Sequence, residues 1–258
     1  MPASLPLLLP LQEILFSQGF GTRRVCAGLI QQGLVQVLGQ TCVDAGEGFA
    51  PEQLAFTVQG QAWVYQRRAY LMLHKPMGTE CSHRPSHWPS VYTLLPAPLR
   101  QRPQKGPIQG VQAVGRLDQD TTGLLLLSDD GKFIHRMNSP RHHVPKVYEI
   151  GLKHALQDAQ IERLLAGVVL DDDPAPVRAS ACVRLGETQL SMTLTQGKYH
   201  QVKRMLAAVG NRVETLHRSR IGGLELPSDL APGQWRWLSA QDLALASASE
   251  GIDAAGHA

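Results

Sequence analysis

Gly115-Arg116-Leu117-Asp118-Gln119-Asp120-Thr121-Thr122-Gly123 runs directly into Leu124-Leu125-Leu126-Leu127. Four consecutive leucines bounded by polar residues predict a buried strand, because no face of such a segment suits water. The two threonines and the glycine ahead of them predict a tight connection. Asp118 then sits in the loop feeding a buried strand, held rigidly and partly out of water, with Arg116 two residues away. A paired arginine keeps a carboxylate ionised, which makes it available as a nucleophile or base. A turn aspartate that accepts hydrogen bonds from nearby backbone amides has the same local sequence. The rest of the chain has to decide between the two.

At 258 residues the chain holds one large domain, or a small domain and a larger one. Its 43% hydrophobic content supports a real core, and 18% charged residues exclude a disordered tail protein. A net charge of +3 does not by itself announce a nucleic-acid partner. Its distribution says more. Residues 1–70 hold four basic and four acidic side chains, whereas between 198 and 220 Lys198, Lys203, Arg204, Arg212, Arg218 and Arg220 stand against Glu214 alone. Such clustering is the electrostatic footprint of a phosphate-backbone partner, and also that of an ordinary solvated basic surface.

Cys26, Cys42, Cys81 and Cys182 include no pair with metal-ligand or redox spacing, so reduced thiols and a cytoplasmic location are expected. Cys81, His83 and His87 lie close together, but Pro85 and Pro89 interrupt them and no fourth ligand follows. A loop is expected there, with no metal and no cofactor. The apolar stretch Leu5–Leu11 is broken by Pro6 and Pro10 and lacks a basic start. It reads neither as a secretion signal nor as a membrane span.

Residues 1–60 read as a small α/β module. Leu11, Ile14 and Leu15, then Val25, Leu29 and Ile30, have the spacing of two short amphipathic helices, with Thr22 as N-cap and Gly33 as stop for the second. Leu34–Val37 and Thr41–Val43 predict a hairpin around Gly39. The polar stretch 61–69 reads as a linker, residues 70–246 as the larger domain, and 247–258 as a disordered tail. In the larger domain strands are expected at Tyr70–His74, Leu124–Ser128, Val147–Leu152, Ala179–Leu185 and Leu190–Thr195. Helices are expected at Asp158–Ala166 and Tyr199–Val209, the latter stopped by Gly210, and a turn and strand at Pro227–Trp237. The fold class is therefore α+β, with a mixed, largely antiparallel sheet flanked by helices.

Several ordered segments then converge. Gly115-Arg116-Leu117-Asp118, Thr122-Gly123-Leu124-Leu125 and Asp129-Asp130-Gly131 are preceded by Tyr70-Leu71-Met72-Leu73-His74-Lys75-Pro76. They are followed by Ser139-Pro140-Arg141-His142-His143, by Lys146-Val147-Tyr148, and by Gly197-Lys198-Tyr199-His200-Gln201-Val202-Lys203-Arg204-Met205. In this order they resemble rRNA pseudouridine synthases of the RsuA/RluB type, over about residues 70–240. The N-terminal module resembles, more weakly, an S4-like RNA-binding module, with Arg23 and Arg24 at its basic helix. It departs in having Glu13 and no basic residue in the first helix, and Leu38-Gly39 where Asn-Gly would suit the turn better.

The resemblance implies isomerisation of uridine to pseudouridine, a reaction that breaks a C–N bond, makes a C–C bond and needs no cofactor. Asp118 resembles the family's essential aspartate, whether it adds to the ring, attacks the ribose or removes a sugar proton. Lys203 or Arg204 would supply a cation, Lys203 matching by position and Arg204 remaining a phosphate contact. On the helix Val202, Met205, Leu206 and Val209 recur on one side, and His200, Lys203 and Arg204 fall outside that stripe. Tyr148 matches the active-site tyrosine, able to stack on a flipped uracil. Arg116 is suited to fill the gap in the helix or to hold a phosphate. Lys75, His200 and Arg141 are further RNA-contact candidates. The segment around Arg141 resembles the small-subunit branch, which implies a single uridine of 16S rRNA as substrate. A monomer that acts on RNA, without a membrane, is expected. The competing expectations are a synthase of 23S rRNA, a catalytically silent RNA-binding assembly factor, and a metal-dependent phosphoryl enzyme using Asp118-Gln119-Asp120 or Asp171-Asp172-Asp173.

Overall fold

The computed structural model describes residues 7–171 and 173–248. The expected tail from 249 onward, the start of the Leu5–Leu11 stretch and the middle of the Asp171-Asp172-Asp173 run lie outside the described residues. Two compact units emerge: one takes the described residues up to Ala69 with Leu95–Gln112 and Ser128–Asp130, the other takes the remainder.

In the first unit β1 (Leu9–Pro10) leads into α1 (Leu11–Gln18) and α2 (Arg23–Gln31). Leu11, Ile14 and Leu15 are fully buried, as are Cys26 and Ile30. Val25, expected on the buried stripe of α2, is exposed instead, because Cys26 takes the core-facing position one residue on. The Thr22 hydroxyl accepts the Val25 N–H at 3.3 Å and caps the helix as expected. Next come β2 (Val35–Val37), β3 (Gln40–Cys42), β4 (Gly48–Phe49), β5 (Ala55–Val58) and β6 (Gln61–Val64). A four-stranded sheet runs in the order β3-β2-β5-β6, with Val35, Val37, Phe56, Val58 and Trp63 buried. The hairpin between β2 and β3 turns through Leu38 at φ 49° and Gly39 at φ 82°.

The stretch 61–69 differs from the expected linker. Its first four residues are β6, paired with β5 from Ala55↔Val64 to Val58↔Gln61. Trp63 and Val64 stand side by side, so no apolar–polar alternation announces a strand in sequence. The remainder is bound within the same unit. Arg102, after α3 (Ala97–Gln101), donates to Asp129 at 2.7 Å, to Gln18 at 3.0 Å and to the Gln66 carbonyl at 2.7 Å. Asp129 in turn accepts the Ala69 N–H at 2.8 Å. Each charge in this buried pair has its partners, which is the condition for burying them at all.

The second unit is built on a mixed sheet. Its elements are β7 (Tyr70–Lys75), β8 (Gln112–Val114), β9 (Thr121–Ser128), α4 (Gly131–Asn138), β10 (Lys146–Leu152), α5 (Asp158–Ala166), the hairpin β11 (Val168–Leu170) and β12 (Asp173–Val177), β13 (Ala181–Gly186), β14 (Gln189–Leu194), α6 (Gln201–Ala208), β15 (Val213–Ile221), β16 (Leu224–Glu225), β17 (Trp235–Trp237) and α7 (Ala240–Ala246). Among the described residues the sheet has nine strands, with main path β13-β14-β10-β15-β9-β7-β17 and with β8 and β16 at the side of β9 and β15. β9 and β15 run parallel, while β10 pairs antiparallel with both β14 and β15. The α+β class and the mixed, largely antiparallel sheet are as expected.

Leu124 and Leu126 join Met72, Phe133, Met137 and Ile221 in one apolar cluster. Leu125 and Leu127 are equally inaccessible, so β9 is covered on both faces, as four consecutive leucines require. The expected tight connection before them is strand instead: Thr121, Thr122 and Gly123 pair with Leu216, His217 and Arg218. Gly123 (φ 107°) serves close approach rather than a turn, since a Cβ there would meet the Arg218 carbonyl oxygen at 2.3 Å.

Candidate active site

The loop between β8 and β9 carries Asp118, and buried polar contacts fix it from behind. Lys75, at the end of β7, is fully buried. Its Nζ donates to the carbonyls of Thr121 (2.9 Å), Pro76 (3.1 Å) and Gln119 (3.4 Å). The Gly78 N–H adds a bond to the Gln119 carbonyl at 2.8 Å, and the Thr121 N–H returns to Asp118 at 3.1 Å. The sequence marks Lys75 as an RNA contact. Burial rules that out; its amine is spent on carbonyls of the Asp118 loop, and desolvation holds its pKa below the ordinary lysine range.

Asp118 points at the start of α6. That helix begins at Gln201, two residues later than its apolar spacing predicts, because His200 adopts a left-handed backbone with φ 47°. Val202, Met205 and Leu206 face the core, which leaves His200 and Lys203 on the side toward the loop. Lys203 Nζ lies 3.3 Å from one Asp118 oxygen, and His200 Nε2 lies 3.4 Å from the other. Asp118 remains about a third exposed, at 31%. Its charge partners are therefore on α6 and at its N-terminal end, not at Arg116, whose side chain is exposed.

Asp120 does not stand out in the sequence as a site residue, yet it makes the shortest contacts to Lys203, 2.7 and 2.9 Å. Burial pulls the Lys203 pKa down, but the hydrogen bonds to Asp120 and the charge of Asp118 outweigh it and the amine is held above its ordinary value. Lys203 is thus a fixed cation bridging two carboxylates. The available signal is the spacing of Asp118 and Asp120, which in sequence suggests only a possible metal pair.

These residues line one cavity of about 390 Å³ within the second unit, the size range of small-molecule sites. Asp118, Arg116, Tyr148, His200 and Lys203 all contribute to its wall, as do Lys146 and Arg218. Tyr148 extends from β10 and is 9% exposed. Among the described residues Asp118 is the one carboxylate in the lining, set against Arg116, Lys146, Lys198, Lys203 and Arg218. A nucleobase entering the cavity therefore meets one carboxylate, the rings of Tyr148 and Tyr199, and a positive surround.

Other candidates lie elsewhere. Arg141 is exposed on a 3-10 turn, Pro140–His142, next to Ser139 and Pro140 of the wall. Arg204 is outside the lining, and one of its contacts is a hydrogen bond to the Tyr199 carbonyl at 3.1 Å. Arg23 and Arg24 belong to the first unit. Arg24 is exposed, whereas Arg23 pairs with Glu13 and lies 4.0 Å over the Phe16 ring. Sequence marks Arg218 only as one of a basic cluster, because its strand, β15, is not announced: Val213-Glu214-Thr215-Leu216-His217-Arg218-Ser219-Arg220-Ile221 carries three charged residues and a histidine, which reads as surface.

Comparison with known proteins agrees with this geometry. The pattern of the family described as RNA pseudouridylate synthase matches residues 69–208. Ribosomal small subunit pseudouridine synthase A of Escherichia coli (strain K12) is 39% identical over 230 residues, covering 88% of this chain and 96% of that protein. The protein of the same name from Pasteurella multocida (strain Pm70) is 37% identical, over 86% of this chain and 93% of its own. A crystal structure of a pseudouridylate synthase superposes with a TM-score of 0.63 at 29% identity, over 92% of this chain and 99% of the other. With more than half its length matched and its relatives spanned almost completely, this chain belongs to the RNA pseudouridine synthase family.

Proposed function

We propose that this enzyme converts one uridine of the small-subunit (16S) ribosomal RNA to pseudouridine, working as a monomer on an RNA that offers the target base flipped out of its stack. The observation that carries the reading is the one carboxylate among the described residues of the cavity wall, Asp118, bracketed by Lys203 and His200 and sharing that wall with a buried tyrosine. Isomerisation needs a carboxylate beside the sugar or ring, a cation to tune it, a surface for the loose base and exclusion of water. Asp118 supplies the first, Lys203 the second, and the Tyr148 ring the third. Asp120 is a positioning residue that aims Lys203. Arg116, exposed at the cavity, occupies the gap left by the flipped base or binds its phosphate. Arg141 and Arg204 contact backbone phosphates farther out.

The choice of small-subunit RNA is supported by the identity to the two synthases named above and by the Arg141 turn beside the cavity wall. The first unit, with exposed Arg24 on α2, acts as an S4-like RNA grip.

The test is to incubate the protein separately with 16S and 23S rRNA lacking modifications and to map pseudouridine by carbodiimide adducts that stop reverse transcription. One new stop in 16S is expected and none in 23S. Product confined to 23S overturns the substrate assignment, and binding without product in either RNA overturns the catalytic one.

A further inference from the structure

We propose that Arg218 and Lys146 form a cationic cradle for the uracil ring itself, donating to its carbonyl oxygens and holding its negative charge while it is detached from the sugar; this rests on the isomerase reading above.

Arg218 is 2% exposed and lines the cavity. Its Nε donates to the Leu124 carbonyl at 2.8 Å, while its Nη2 is buried with no hydrogen-bond partner among the described residues. A guanidinium cannot discharge by losing its proton in a protein, so it stays a buried cation with an unspent donor. Such a donor is expensive to leave unmade. Its position is specified by the sheet: Tyr148 pairs with Arg218, whereas Val147 pairs with Arg220, so Ser219 is an extra residue at a register shift. Bulges of this kind re-aim a side chain beside a site. Here the result is an arginine directly across from the tyrosine of the cavity wall.

Lys146 lies two residues before Tyr148 on β10 and lines the same cavity, as the period of a strand requires. Its Nζ donates to the Val144 carbonyl at 2.9 Å, which uses one of its three protons. Burial and the charge of Arg218 lower its pKa to about 8. Neither Lys146 nor Arg218 has a carboxylate partner among the described residues, and the carboxylate of the lining, Asp118, is already met by Lys203 and His200. A buried arginine and a half-buried lysine without a counter-ion repel each other and resist desolvation. They are tolerable in a site that regularly receives an anion.

The reaction supplies one. When the C1′–N1 bond breaks, its electron pair leaves with N1 and the charge spreads over the ring's two carbonyl oxygens. After the ring turns, the electron pair at C5 closes the C5–C1′ bond, the C5 proton departs and N1 takes one up. The sum is an isomerisation with no redox change. Donors already aimed at the developing charge lower the barrier without reorganising.

Activity against pH separates this role from a structural one. The other titratable or charged groups around the same cavity are Arg218, Arg116, Asp118, Tyr148, Tyr199, Lys198, His200 and Lys203. The cradle needs Lys146 protonated, and its folded pKa is the lowered one, so wild-type kcat is expected to fall as pH rises through about 8. Lys203, held above the ordinary lysine value, titrates later. In Lys146→Arg the alkaline fall should move beyond the measured range, because arginine stays charged. Lys146→Met should lower kcat at pH 7 by roughly a hundredfold, in line with loss of one oxyanion donor, with KM and salt dependence little changed. Arg218→Lys should lose a similar factor; should it fail to fold, the Lys146 pair decides alone. An alkaline fall identical in Lys146→Arg and wild type would overturn the cradle. So would Lys146→Met raising KM and flattening the salt dependence at unchanged kcat, the mark of a phosphate contact. Failure of wild type to make pseudouridine overturns the isomerase reading instead.

Discussion

Lys75 shows how differently two lysines of one site are used. Lys203 is a partly exposed cation shared by Asp118 and Asp120, while Lys75 is wholly buried behind the same loop, donating to three carbonyl oxygens. Lys75→Met preserves the shape but leaves those oxygens without a donor. Unfolding free energy in urea is expected to fall by about 2–4 kcal/mol, since each orphaned buried acceptor costs on the order of 1–3 kcal/mol and the loop relaxes in part. RNA affinity of the folded variant should stay within about twofold, because a lysine that neutralised a phosphate would weaken binding further when removed. Weakened RNA binding at unchanged stability would return Lys75 to the surface role read from sequence. That misreading has a physical cause. Tyr70–Pro76 announces a strand followed by a stop, but nothing local to it tells whether its lysine ends in water or among carbonyls. Ordered motifs point to Asp118, Tyr148 and Lys203, and the structure brings these three to one cavity; no motif points to Asp120 or Arg218, whose contacts are with partners 83 and 94 residues away.

At the scale of elements, alternation and capping are easy to read, while irregular backbone is not. α5 spans Asp158–Ala166, as its spacing predicts, and α2 is capped by Thr22. By contrast β15 hides behind its charges, and α7 escapes notice although Ser239 and Asp242 cap it reciprocally. The β2–β3 turn illustrates a local conflict. Both of its central residues have positive φ, yet the first is Leu38, a residue 75% exposed that gains little from packing. A type I′ turn prefers Asn-Gly. Leu38→Asn is therefore expected to stabilise the protein by about 0.5–1 kcal/mol, by relieving the strained φ at small loss of burial. Thermal unfolding checks it: a rise in Tm supports the turn geometry, and a fall would mean that Leu38 contributes packing the isolated chain does not display.

For the whole molecule, charge is distributed unevenly between the parts. The cavity wall is strongly cationic around one carboxylate, while in the first unit Arg23 is partly neutralised by Glu13. If the first unit grips phosphate, Arg23→Ala with Arg24→Ala should weaken RNA binding. It should also reduce the slope of log K against log salt by about one, nearer to one phosphate contact than two. An unchanged slope would remove that unit from RNA recognition. The composition and net charge hint at none of this, since a mild overall charge averages a basic site with a balanced module. The central claim is that catalysis passes through the carboxylate of Asp118, and it is tested most directly by Asp118→Asn, which keeps the shape and removes the charge. Pseudouridine formation and RNA affinity should be measured on the same preparation. The account predicts that product falls below detection while RNA affinity stays within about threefold of wild type; turnover near the wild-type rate would contradict it.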